Sequence, residues 1–225
     1  MAQAGIHGMV GMAVRKWTPD RKWLMLGIVL GNLLPDADNL AVAVATVTGQ
    51  PTQGLHRTFT HSLFTVATVI VAFYVVAWAT RRPRWGNLGL GLGIGILMHI
   101  LLDLLVWFDG VELLWPIPSW INLWHNVTPP EWWSRLMMPV EFLFFALFFL
   151  LLHQTARKRG TDGGFLRPLQ VWAAVQGVLF VVFTVLVYTM EKGFMIPYGV
   201  LYLLSLGLAF GVTIRMQETV EAVVR

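Results

Sequence analysis

The sequence predicts an all-α fold, a polytopic membrane helical bundle of about six transmembrane helices with a short N-terminal half-helix. Of its 225 residues 56% are hydrophobic and 12% charged, whereas a soluble domain spends about a quarter of its residues on Asp, Glu, Lys and Arg. Several apolar stretches reach the roughly 20 residues that a helix needs to cross about 30 Å of hydrocarbon. The basic residues fall in short runs between these stretches, so the net charge of +4 reads as membrane topology and argues against a nucleic-acid partner. With no cysteine in the chain, any metal must be held by His, Asp or Glu.

From the N-terminus, Met1 to Val14 is too short to span, and Arg15, Lys16, Arg21 and Lys22 follow it, whereas a secretory signal carries its basic residues in front. This segment reads as a half-membrane or interfacial helix. The spans then run near Trp23 to Val47, Ser62 to Ala79, Leu88 to Phe108, Leu136 to His153, Leu169 to Met190 and Met195 to Ile214. Arg81, Arg82 and Arg84 follow the second; Arg157, Lys158, Arg159 and Arg167 separate the fourth and fifth; Arg215 and Arg225 follow the last. By the positive-inside rule these segments and both termini are cytoplasmic, while Thr48 to Thr60, Asp109 to Arg135 and Glu191 to Phe194 face outward. The expected organisation is one membrane domain, 1–225: residues 1–110 carry a metal site, 111–135 form an outward Trp-rich loop, and 136–225 serve as scaffold or substrate cleft.

The ionisable residues inside these spans are expensive to bury and mark function. Asp36 and His99 each lie 13 positions past the expected cytoplasmic starts at Trp23 and Gly86, a climb of about 20 Å at 1.5 Å per residue. Both reach the outer half of the membrane. Asp103 is one turn above His99, on the same helix face. His56 and His61 sit at the outer mouth of the second span, so all five can converge on one layer. Pro35 breaks the first span between Gly31 and Leu40, which lets Asp36 and Asp38 turn toward one centre; a capping role for either carboxylate is the bland alternative. Arg57 is suited to binding a phosphate through its fork, or else is a solvated loop arginine. Thr60 or Ser62 is placed to cap the second span. Gly91, Gly93 and Gly95 suit close helix packing. His7, among Gly5, Gly8 and Gly11, approaches the same layer if its helix descends from the outer half toward Arg15. His125 lies in the tryptophan-rich outward loop, which reads as an aromatic belt, and His153 lies toward the cytoplasmic end.

The motifs Gly5-Ile6-His7-Gly8, Leu34-Pro35-Asp36-Ala37-Asp38, His56-Arg57-Thr58-Phe59-Thr60-His61-Ser62, His99-Ile100-Leu101-Leu102-Asp103, Asp109-Gly110 and Leu114-Trp115-Pro116 resemble those of the YdjM-like inner-membrane proteins. The resemblance implies a metal-dependent hydrolase and, at greater distance, a likeness to zinc-dependent phospholipase C. Carried over, it makes His7, Asp36 or Asp38, His61, His99 and Asp103 metal ligands, with Asp103 a candidate bridge. The further histidines and the His-x-x-x-Glu pair of that phospholipase are absent after Asp103, so one or two divalent ions, zinc or another, are implied rather than three.

The expected function is hydrolysis of a phosphoester in a lipid or lipid-linked substrate at the outer face of the cytoplasmic membrane. The candidate metal ligands are His7, Asp36, Asp38, His56, His61, His99 and Asp103. Whichever of Asp36 and Asp38 is not fully engaged would accept the proton of the attacking water, and Arg57 would stabilise the phosphate. Amide or carboxyl ester hydrolysis stays open. Two rivals stand beside it: an ion- or proton-coupled transporter, and a membrane scaffold with a structural metal.

Overall fold

The computed structural model describes residues 4–190 and 193–222. Met1 and Arg225, on which the expectation of cytoplasmic termini rests, and Glu191 in the last outward connection lie outside the described residues.

The short N-terminal helix is α1 (Ala4–Ala13), and the expected first span divides into α2 (Leu24–Leu33) and α3 (Asn39–Thr48). Between them Pro35–Asp38 forms a 3₁₀ turn, and the two helices bend by 40°. Pro35 opens this turn, where its missing N–H removes no interior helical bond. The long apolar helices are α4 (Leu63–Thr80), α5 (Pro83–Val106), α7 (Val140–Arg159), α8 (Leu166–Thr189) and α9 (Met195–Arg215). Five helical stretches are each long and apolar enough to cross a membrane, and the bent α2–α3 pair makes a sixth. Two short helices, α6 (Glu131–Leu136) and α10 (Gln217–Glu221), complete the described set.

Glycines set the core contacts. A Cβ on Gly27 would land on the Leu88 carbonyl, and one on Gly91 on the Leu24 carbonyl, so α2 and α5 meet backbone to backbone. Gly31 and Gly95 repeat the contact one turn higher. Gly93 instead faces Ile70 of α4. Lipid supplies no hydrophobic drive for helix association, so close approach of this kind is what holds such helices together. On the other side of α2, Val29 and Leu33 join Phe145, Phe148, Phe149 and Leu152 of α7 in a fully buried apolar cluster.

The end of the bundle rich in basic residues is tied off by the C-terminal segment. Glu221 accepts from the backbone amides of Trp23 and Leu26, both at 2.7 Å, and so satisfies the start of α2. Arg15, 5% exposed, donates to the carbonyls of Glu221 and Ala222, and Arg159 donates to those of Thr219 and Ala222.

At the opposite end the tryptophan-rich stretch is more than a belt. It contains a two-stranded antiparallel pair, β1 (Val111–Glu112) with β2 (Trp120–Ile121), besides α6. It also folds back on the chain between Arg57 and Leu63. Glu112 N donates to Arg57 O at 2.9 Å, Leu63 N to Leu113 O at 2.9 Å, and the Ser62 hydroxyl to Trp115 O at 2.9 Å. Ser62, and not Thr60, caps α4 by accepting from Phe64 N at 3.2 Å.

Candidate metal centre

Four segments bring His7, Asp36, Asp38, His56, Arg57, His61, His99 and Asp103 together at one end of the bundle. Except for His56, whose side chain is 19% exposed, each of these residues is at most 3% exposed.

α5 supplies His99 and Asp103 on one face. His99 Nδ1 lies 2.7 Å from the carbonyl oxygen of Asn32 on α2. A carbonyl only accepts, so Nδ1 carries the proton and Nε2 presents a bare lone pair. The glycine contact between α2 and α5 is what brings Asn32 O to this distance.

His61 sits in the 3₁₀ turn Phe59–His61 just before α4. Its Nδ1 is 2.9 Å from Thr60 Oγ1, and that hydroxyl donates to Asp38 Oδ2 at 2.8 Å. Since the hydroxyl proton goes to the carboxylate, Thr60 accepts from His61 Nδ1, which again leaves Nε2 bare. The Nε2 atoms of His61 and His99 lie 3.2 Å apart. Two lone pairs at that separation repel unless an electrophile joins them.

The 3₁₀ turn after α2 divides the two neighbouring aspartates. Asp38 is fully engaged: Oδ1 accepts from His56 Nδ1 at 2.7 Å, and Oδ2 from Thr60 and from Arg57 N at 3.1 Å. It stands at the N-cap of α3 yet makes no capping bond there, because its carboxylate is committed to the histidine segment. Asp36 Oδ1 lies 3.9 Å from His99 Nε2, while its buried Oδ2 has no hydrogen-bond partner. Burial holds His56 below the ordinary imidazole range, against the opposing pull of Asp38.

α1 delivers His7 from the other side. Its Nε2 is 3.1 Å from Asp103 Oδ1, and its ring stacks on His99 with centroids 3.6 Å apart. α1 therefore descends from the level of the site toward Arg15, as the sequence reading required for His7 to take part. Arg57 is buried, not solvated: Nη2 lies 3.4 Å from Asp103 Oδ2, and Nη1 3.9 Å from Asp109 Oδ2. Its backbone is left-handed, with φ of 63°, a conformation that costs a non-glycine residue about 1–3 kcal/mol and recurs at functional sites.

Three sets of ligand atoms lie within 4.8 Å of one another: His7, His99 and Asp103; Asp36, His61 and His99; Asp38, His56 and His61. Asp36, Asp38 and Asp103 are buried together in the site, and the guanidinium of Arg57 pairs with Asp103 and Asp109, so carboxylates outnumber cationic side chains there. The mixed imidazole and carboxylate donors, the bare lone pairs and this charge all fit a divalent cation. These buried groups can hold a metal ion.

Two openings adjoin the site. A cavity of about 200 Å³ is lined by Arg57, Trp107, Asp109 and Trp133. An apolar groove of about 680 Å³ between α3 and the returning loop is walled by Leu40, Ala41, Val44 and Phe59 and ends on Asp38 and Thr60.

His125 and His153 belong to none of the three ligand sets. Sequence reasoning missed Asn32 and Glu141, and gave Thr60 only a capping role. Nothing in the sequence marks the Asn32 carbonyl, whereas Glu141 carried a signal: it is the one charged residue between Leu136 and Leu152. It is fully buried and accepts from Gly5 N at 3.1 Å.

The model of the YdjM inner membrane protein family matches residues 3–196. No curated protein matches the sequence, and no solved structure matches the chain.

Proposed function

The chain belongs to the YdjM inner membrane protein family, and we propose that its buried centre makes it a metal-dependent hydrolase of lipid phosphoesters. It is a multi-pass inner-membrane protein. The observation that carries the reading is the approach of His61 Nε2 and His99 Nε2 to 3.2 Å with both Nδ1 atoms already donating elsewhere. His7, Asp36, His61, His99 and Asp103 would hold the cation, with His56 available for a second. Zinc suits a donor set of imidazole and carboxylate. When bound, such an ion supplies Lewis acidity for activating water and polarising a phosphoryl oxygen.

The remaining steps belong to the chain's own residues. Asp36 Oδ2, free of hydrogen-bond partners, accepts the proton of the attacking water. Asp38, saturated by His56, Arg57 N and Thr60, orients the histidines. Arg57, on the wall of the cavity and 3.4 Å from Asp103, binds the phosphate and its developing charge. The apolar groove ending on Asp38 offers room for a hydrocarbon chain, which favours a lipid over a soluble ester. An extracytoplasmic site is part of this reading, and the distribution of basic residues among the loops supports it.

Purified protein should contain zinc in stoichiometric amount and release product from one or more members of a panel of phospholipids and lipid pyrophosphates. His99→Ala should lose both. Metal without turnover on any substrate would favour a structural site, and absence of bound metal would overturn the reading.

A further inference from the structure

Three of the site's four histidines have a ring nitrogen bonded to a group outside the five proposed ligands. His99 uses the Asn32 carbonyl, His61 uses Thr60, and His56 uses Asp38. His7 is the exception. Its one ring hydrogen bond, between Nε2 and Asp103 Oδ1 at 3.1 Å, is to another proposed ligand, and its buried Nδ1 has no hydrogen-bond partner. No group outside the proposed ligands therefore holds the ring, and its placement rests on the backbone of α1 together with the bond to Asp103 and the stack on His99.

The described part of α1 starts buried, with Ala4 0% exposed, and the first amides of a helix lack helical acceptors. Glu141, in the first turn of α7, reaches across 136 positions of sequence to accept from Gly5 N at 3.1 Å, and the Ala4 amide also interacts with its carboxylate. Gly5 permits this approach, because a Cβ there would land on the backbone joining Phe144 to Phe145. His7 follows two residues later.

We propose that Glu141 is a positioning residue of the metal centre: it caps α1 from a neighbouring helix and thereby places the backbone that carries His7, whose ring is otherwise held only by other proposed ligands. The inference rests on His7 being a ligand. Glu141 itself belongs to none of the three ligand sets, so its effect on the metal must pass through α1.

The test compares Glu141→Met, which keeps bulk and removes the acceptor, with Glu141→Gln, which keeps an acceptor, and with His7→Ala. Zinc affinity is measured by chelator competition on full-length protein in nanodiscs, and ligand geometry from the visible spectrum of the cobalt-substituted protein. Glu141→Met should weaken zinc about 10- to 100-fold, the usual cost of losing an orienting partner. It should also reproduce the cobalt spectrum of His7→Ala. Glu141→Gln should stay near wild type, and Glu141→Met combined with His7→Ala should be no weaker than His7→Ala alone. In metal-free protein, hydrogen exchange over residues 4–10 should quicken in Glu141→Met. Should that variant not fold, Glu141→Asp, with its shorter reach, is expected to give the same loss in milder form.

Wild-type zinc affinity in Glu141→Met or Glu141→Asp, alongside a weakened His7→Ala, would overturn the inference and leave the metal centre standing. Additive losses in the double variant would also overturn it. Unchanged metal binding in His7→Ala would remove the ligand assignment and the inference together.

Discussion

Asp36 and Asp38 are two residues apart and chemically identical, yet their surroundings assign them different work, and substitution by Asn should separate the two. Asp38 receives four donors, at 2.7, 2.8, 3.1 and 3.4 Å, the last from the neighbouring Asn39 Nδ2. An Asn side chain offers one carbonyl oxygen in place of two carboxylate oxygens, and its amide group must face one of those donors. His56 and His61 then lose their aim, and the expected cost is about 10- to 100-fold in metal affinity, or about 1.4–2.8 kcal/mol. Asp36 has an oxygen with no hydrogen-bond partner, and its loss should remove the proton acceptor, lowering turnover about 10²- to 10⁴-fold. The discriminating assay is turnover as a function of free zinc. Asp38→Asn should regain most of its rate at saturating metal, whereas Asp36→Asn should stay slow however much metal is supplied. Recovery of Asp36→Asn at high zinc, or failure of Asp38→Asn to recover, would refute the division of roles.

Arg57→Lys keeps the charge but loses the planar fork, so turnover should fall about 10²- to 10³-fold with zinc content unchanged; loss of the metal instead would make Arg57 a structural counter-charge to Asp103. Gly95→Leu would drive a Cβ into the Ile28 carbonyl, part α2 from α5 and cost about 1–3 kcal/mol. It should lower the melting temperature in detergent and weaken zinc, because the link from Asn32 to His99 crosses the same contact. Gly207→Leu, with open space around its Cβ, is the control and should change neither.

What the sequence revealed and what it hid follow from the range of the interactions involved. Hydropathy located the spans because crossing hydrocarbon demands a long apolar run whatever the neighbours are. Depth counting along the first and third spans put Asp36, His99 and Asp103 in one layer, and they do meet there. The assignment of carboxylate roles could not be read, since it depends on Thr60 and Arg57 N reaching Asp38 from about twenty residues away. Pro35 announced the break in the first span, but the absence of an Asp38 cap follows from those same distant donors. The buried state of Arg57 was hidden too, because the strand pair that covers the Arg57 segment forms from residues which, taken alone, read as an aromatic belt. Glu141 was detectable in principle. A lone carboxylate among Phe and Leu asks for a partner, yet its partner is a backbone amide at the start of another helix, for which no side-chain motif exists.

The same packing bears on whether ions move through this protein. Between the site and the basic end of the bundle lie Met25, Val29, Leu33, Phe148, Phe149 and Leu152, each at most 1% exposed. Beneath them Arg15 and Glu221 close the helix ends. A permeating cation needs polar groups or water along its path, and this stretch presents side chains with neither. Among the described residues, openings reach the site through Arg57 and through Asp38, and both adjoin the other end. Access from one end suits an enzyme that takes its substrate from one leaflet. In sealed proteoliposomes, zinc and proton flux should therefore equal that of lipid alone. A flux above that level which His99→Ala abolishes would mean that the apolar layer opens, and would return the argument to transport.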